Sequence, residues 1–184
     1  MPAGGTGLVL RGLRKEPATI GKWHLGWDLT YKEGKAKTVD NIDFTKRVAN
    51  GPTDRGFDYF YGLTSPSGPP HLYMVNDMAE KQPNTRFEES GGGLYKIKGG
   101  IGHSDWSADG MQPHLADKML EYLDENKDSD KPFFLYMALT APHIPLFPSK
   151  EFKGKSKIGD YGDLVMMIAV SYTHLRAHET RGNL

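Results

Sequence analysis

The sequence predicts an α/β layered fold, and three stretches carry that expectation. Pro132-Phe133-Phe134-Leu135-Tyr136-Met137-Ala138-Leu139 is a continuous apolar run of strand length, the pattern of a buried central strand. Just before it, Leu115, Met119, Leu120 and Leu123 recur at helical spacing, with Asp117, Lys118, Glu121 and Asp124 on the other face. Earlier in the chain, Ala18-Thr19-Ile20 reads as a short buried strand. A helix followed by a strand is half of an α/β unit. In open sheets of that kind, ligands gather beyond the C-terminal ends of the strands.

The remaining elements come in order along the chain. Leu8, Val9, Leu10 and Leu13 fit a short helix or strand that Pro17 cuts short. Residues 30–48 are polar and Lys-rich, the composition of a solvated loop. Residues 51–62 read as a turn, an aromatic-rich strand and then a glycine, Gly62, that opens a loop. Residues 63–71 hold too many Pro and Gly for the interior of an element, which makes His71 a surface loop residue. Residues 80–102 are polar, with Gly91-Gly92-Gly93 and Gly99-Gly100, as in a mobile hairpin or an insertion. Pro113 suits the start of the next helix, with Asp109 or Gln112 as its cap. Residues 126–130 form a polar turn before the apolar run.

Composition sets limits on function. A chain of 184 residues is long enough for one domain with a real core. It contains 23 Lys and Arg against 23 Asp and Glu, so nothing in its charge argues for nucleic acid or an anionic membrane surface. Mean hydropathy is −0.56 and there is no long apolar run, so no membrane span is expected. With no cysteine, the chain has neither disulfides nor a thiol nucleophile.

The chemistry concentrates in two short strings. Gly21-Lys22-Trp23-His24-Leu25-Gly26 puts an ammonium and an imidazole two residues apart. In an extended segment both point to one face, because strand side chains alternate. A cation beside a titratable ring suits an anionic group that is held and then gains or loses a proton. A solvated Lys beside a packed His is the plainer reading of the same spacing. The second string is Thr140-Ala141-Pro142-His143-Ile144-Pro145, at the end of the apolar run. Prolines on both sides hold His143 stiffly. By itself this fits a packed loop histidine as well as a catalytic one. His103 and Asp105 have a metal-like spacing without a third ligand.

Taken together, the strings resemble the type I sulfatases, which hydrolyse sulfate esters with a formylglycine nucleophile. Ile20-Gly21-Lys22-Trp23-His24 is similar to the second half of that family's second signature. Its first half departs: Arg14-Lys15-Glu16-Pro17 stands where Gly-Tyr-x-Thr would be. Gly51-Pro52 and Gly56-Phe57-Asp58-Tyr59-Phe60-Tyr61-Gly62 resemble a block that comes next in the family, and residues 132–145 resemble its Pro-Phe-Phe-Leu-Tyr and Pro-His-x-Pro segment. The resemblance implies an alkaline-phosphatase-like layered sheet with helices on both faces, of which this is an incomplete N-terminal part. It implies that Lys22, His24 and His143 act in catalysis. Lys22 and His143, with Ser65 from the loop between them, would touch the sulfate. It also implies calcium, a sulfated small molecule or glycan as partner, and a secreted, periplasmic or lysosomal whole protein.

Other features depart from the family. No Cys/Ser-x-Pro-x-Arg string exists, so the nucleophile has no precursor here, and the carboxylates expected to hold calcium are missing. The chain is therefore expected not to turn over substrate. A non-catalytic binder of sulfated glycans and a phosphoester hydrolase of the same superfamily are the alternative readings. Residues 1–168 read as a partial catalytic domain. The segment that begins Ala169-Val170-Ser171-Tyr172-Thr173-His174-Leu175 resembles a translated sequencing adapter, so 169–184 reads as a non-native tail at which the helical pattern breaks.

Overall fold

The computed structural model describes residues 16–181. The element expected around Leu8–Leu13 lies outside the described residues. Within them, strands β1 (Glu16–Lys22), β2 (Tyr59–Leu63), β3 (Met74–Val75), β4 (Met78–Ala79) and β7 (Phe133–Ala138) form one sheet in the order β4-β3-β2-β1-β7. β5 (Thr85–Phe87) and β6 (Gly100–Gly102) pair antiparallel as a second, small sheet. Helix α1 spans Met111–Asn126 and helix α2 spans Asp160–Arg181. The α/β expectation holds: β1 runs parallel to both β2 and β7, with β3 and β4 antiparallel at one side.

Alternation along β1 separates two cores. Ile20 joins Tyr61, Leu63, Leu115, Met119 and Leu175 on the face covered by α1 and α2. Phe60, Trp23 and Met74 belong to the other cluster, closed by Ile42, Phe44 and Val48. Residues 30–48 are thus not merely a solvated loop. Ile42, Phe44 and Val48, with Tyr31 and Val39 beside them, cover one face of the sheet.

Several expectations need correcting. The apolar run forms β7, but β7 lies at the edge of the sheet and is only half covered. Phe133, Leu135 and Met137 are partly buried, whereas Phe134 and Tyr136 are 39% and 52% exposed. The cluster around Phe60 contains no β7 residue. α1 begins at Met111, with Gly110 as its N-cap and no side-chain cap. Ser107 Oγ instead accepts the Gly110 N–H at 3.0 Å. Pro113 sits within the first turn, where its missing N–H costs nothing. Gln112 turns inward and is buried.

His71 is buried, not on the surface. Its backbone N–H donates to Ile101 O at 2.9 Å, its Nε2–H to Lys98 O at 2.7 Å, and its ring lies 4.4 Å from that of Trp106. Gly62 lies inside β2 and does not open a loop. The helical pattern does not break at Ala169: α2 runs through it, and Leu175 is buried in the main cluster. At the start of α2, the fully buried Asp163 carboxylate accepts from Gly154 N at 2.7 Å and Ser156 N at 2.6 Å, which ties the preceding loop to the helix.

Candidate active site

Three parallel strands end side by side. Gly21 of β1 is level with Gly62 of β2 and Ala138 of β7, and Lys22 is level with Leu63. These strand ends carry the four residues that the resemblance implies for the site. Lys22 ends β1 and His24 follows it, Ser65 follows β2 and His143 follows β7. Adjacent strands stand about 4.8 Å apart, so the outer two of these segments start within about 10 Å of each other.

Lys22 is half-buried. Burial holds its ammonium below the ordinary lysine range, and it has no ion pair among the described residues. Trp23 packs into the opposite cluster, edge-on to Phe57 with ring centres 6.2 Å apart. Alternation therefore directs Lys22 and His24 to the side away from it. Two bonds fix this end of β1. Trp23 N donates to Leu63 O at 2.9 Å, and the indole Nε1–H donates to Gly26 O at 3.1 Å. Between them His24 is exposed, and its ring makes no hydrogen bond among the described residues.

Ser65 is half-buried, and its Oγ accepts from Gly68 N at 3.2 Å and, more weakly, from Ser67 N at 3.4 Å. The hydroxyl thus closes its own turn while its proton remains available to an anion. His143 is exposed and lies between the cis bonds Ala141–Pro142 and Ile144–Pro145. Its backbone N–H donates to Thr140 O at 3.2 Å, and its Nδ1–H donates to Ile144 O at 2.5 Å. That bond assigns the neutral proton to Nδ1 and leaves Nε2 as the reactive nitrogen.

The 80–102 segment joins two of these loops. Lys98 N donates to Ser67 O at 2.9 Å, and Leu146 N donates to Leu94 O at 2.8 Å. An ion pair of 2.7 Å between Arg86 and Asp40 anchors it farther out. It is therefore a bridge between the Ser65 and His143 loops. The sequence alone reads this bridge as a mobile hairpin or an insertion and Gln112 as a helix cap, because their contacts lie far apart along the chain.

Among the described residues no three of His, Asp and Glu stand together as metal ligands. The His103 and Asp105 pair is engaged otherwise: Asp105 pairs with Lys81, and His103 meets Asn84.

The sulfatase family model matches residues 9–167. The chain belongs to the sulfatase family. An N-acetylgalactosamine-6-sulfatase of Canis lupus familiaris is 29% identical over 81% of this sulfatase chain, and the match covers 24% of that protein. Among solved structures, a protein described for the metabolism of multiple glycosaminoglycans by Bacteroides thetaiotaomicron superposes with a TM-score of 0.72 at 18% identity. That match covers 95% of this chain and 41% of that one. Ps i-CgsB, solved in complex with k-i-k-neocarrahexaose, superposes with a TM-score of 0.60 at 16% identity, covering 95% of this chain and 36% of that one. These likenesses give the sulfatase chain an alkaline-phosphatase-like fold. The chain spans about a quarter of the first curated relative it matches.

Proposed function

We propose that the whole protein hydrolyses sulfate esters of a sulfated sugar, and that this sulfatase chain supplies its anion grip without the nucleophile. The observation that carries the reading is Lys22. A half-buried ammonium with no carboxylate among the described residues is a desolvated cation in want of a counter-ion. It sits at the sheet edge where His24, Ser65 and His143 also emerge. A sulfate there would take charge from Lys22 and a hydrogen bond from Ser65 Oγ.

His143 suits the leaving-group oxygen. With Nδ1–H engaged by Ile144 O, the protonated ring presents a single donor, Nε2–H, to the substrate. His24 carries no competing bond and is the group left to move a second proton. Fixed donors of this kind are each worth about 10²–10³ in rate. The bridge from Leu94 to Lys98, fastened to both flanking loops, is the element that would select the sugar. The relatives named N-acetylgalactosamine-6-sulfatase and the neighbour holding a neocarrahexaose support a sulfated glycan as that substrate.

The test is a chromogenic aryl sulfate offered to the 184-residue chain with and without calcium. The expected result is saturable binding, lost in Lys22→Met, with no release of chromophore. Calcium-dependent hydrolysis would contradict the second half of the proposal, and absence of binding the first.

A further inference from the structure

Gln112 is an odd residue for the place it occupies. It lies in the first turn of α1, 2% exposed, where an apolar side chain would pack without cost. Its Oε1 meets three donors from the end of β7: Thr140 Oγ1 at 2.9 Å, Thr140 N at 3.3 Å and Ala141 N at 3.5 Å. Its own Nε2 is buried with no partner among the described residues. Turning the amide over would not help, because an NH₂ cannot accept from two backbone N–H groups. A buried, unpartnered NH₂ is costly. The side chain is therefore held for its oxygen.

The oxygen acts on the turn that presents His143. Thr140 is buried, and its carbonyl accepts the His143 N–H at 3.2 Å. One relay thus runs from the first turn of α1 through Thr140 to the histidine. We infer that Gln112 is a positioning residue that sets the β7-end turn, and with it the ring geometry of His143. This rests on the reading of His143 as an anion-binding group. Gln112 itself touches no substrate.

The experiment uses Gln112→Met, which keeps length and volume but removes the acceptor, and Gln112→Glu, which keeps the acceptor and puts a carboxyl oxygen in place of the idle NH₂. In the 184-residue chain, ring-nitrogen shifts report the His143 tautomer, amide exchange reports Thr140 and Ala141, and titration with inorganic sulfate reports affinity. Gln112→Met is expected to move His143 from its Nδ1–H form toward a mixture and to speed the two amides by roughly fivefold, the worth of one ordinary hydrogen bond. It should weaken sulfate binding by a similar factor. Gln112→Glu is expected to restore all three. Should Gln112→Met not fold, Thr140→Val, which removes only the hydroxyl donor, is expected to give the same changes at smaller size. A folded Gln112→Met with the wild-type tautomer and exchange would overturn the inference. Wild-type chain that binds no sulfate would overturn the anion reading instead, while the tautomer and the amides still decide the role of Gln112.

Discussion

Gly21 of β1 lies so close to Ala138 of β7 that a Cβ on it would stand 2.0 Å from the Ala138 carbonyl oxygen. Its φ of +129° is also one that other residues rarely adopt. The same crowding recurs one strand over, where a Cβ on Gly62 would stand 1.7 Å from Gly21 O. These glycines let three strand ends close up immediately before Lys22. Gly21→Ala is expected to cost about 3 kcal/mol, from backbone strain and overlap combined, and Gly62→Ala about 2 kcal/mol, from overlap alone. Urea denaturation checks this, and loss of less than about 1 kcal/mol would mean that the strand ends are looser than described.

The lowered pKa of Lys22 gives a pH signature. Only the ammonium form attracts an anion, so sulfate affinity should hold at neutral pH and fall as pH rises through a value below the usual 10.5. An exposed lysine would keep its affinity to higher pH. Bound sulfate favours the charged form and should move the fall upward. Isothermal titration across the alkaline range in wild type and Lys22→Met reads this difference.

Acid should loosen the fold through His71. Burial lowers its pKa below 6.5, and protonation would add an Nδ1–H where the buried Nδ1 has no partner among the described residues. Because the folded value is depressed, its contribution to stability is present above pH 6.5 and is lost as pH falls through the folded value. His114, whose pKa burial also lowers, adds in the same direction. Denaturant midpoints measured between pH 7 and pH 5 should fall, and His71→Gln should flatten part of that slope.

Asp163 ties the loop before α2 through two short bonds from backbone N–H groups. Asp163→Ala leaves both donors without the carboxylate and is expected to cost about 3 kcal/mol. Asp163→Asn, which keeps one acceptor oxygen, should cost about half of that. Thermal denaturation orders the three proteins, and equal stabilities would contradict the capping role.

What could be read in the sequence was local. Lys22 and His24 at a strand end, and His143 after an apolar run, declare themselves within a few residues. Helix and strand periods also place α1 and β7. The misread positions depend on partners far along the chain. His71 is buried by Lys98 and Trp106. Gln112 has the look of a helix cap until Thr140, 28 residues on, supplies its donors. The apolar run of β7 could not distinguish edge from centre, because Phe134 and Tyr136 are as apolar in either place. Leu175 falls in the terminal segment that reads as a tail, yet its helix continues and buries it.

The central claim is that three strand-end segments hold one sulfate between them. It is tested most directly by titrating the labelled 184-residue chain with inorganic sulfate while following the Lys22 ammonium and the His24 and His143 rings by NMR. The account predicts that all three signals move together along one saturation curve with a single Kd, and that Lys22→Met abolishes the movement of both rings. Signals that saturate at different concentrations, or rings that respond unchanged without Lys22, would contradict it.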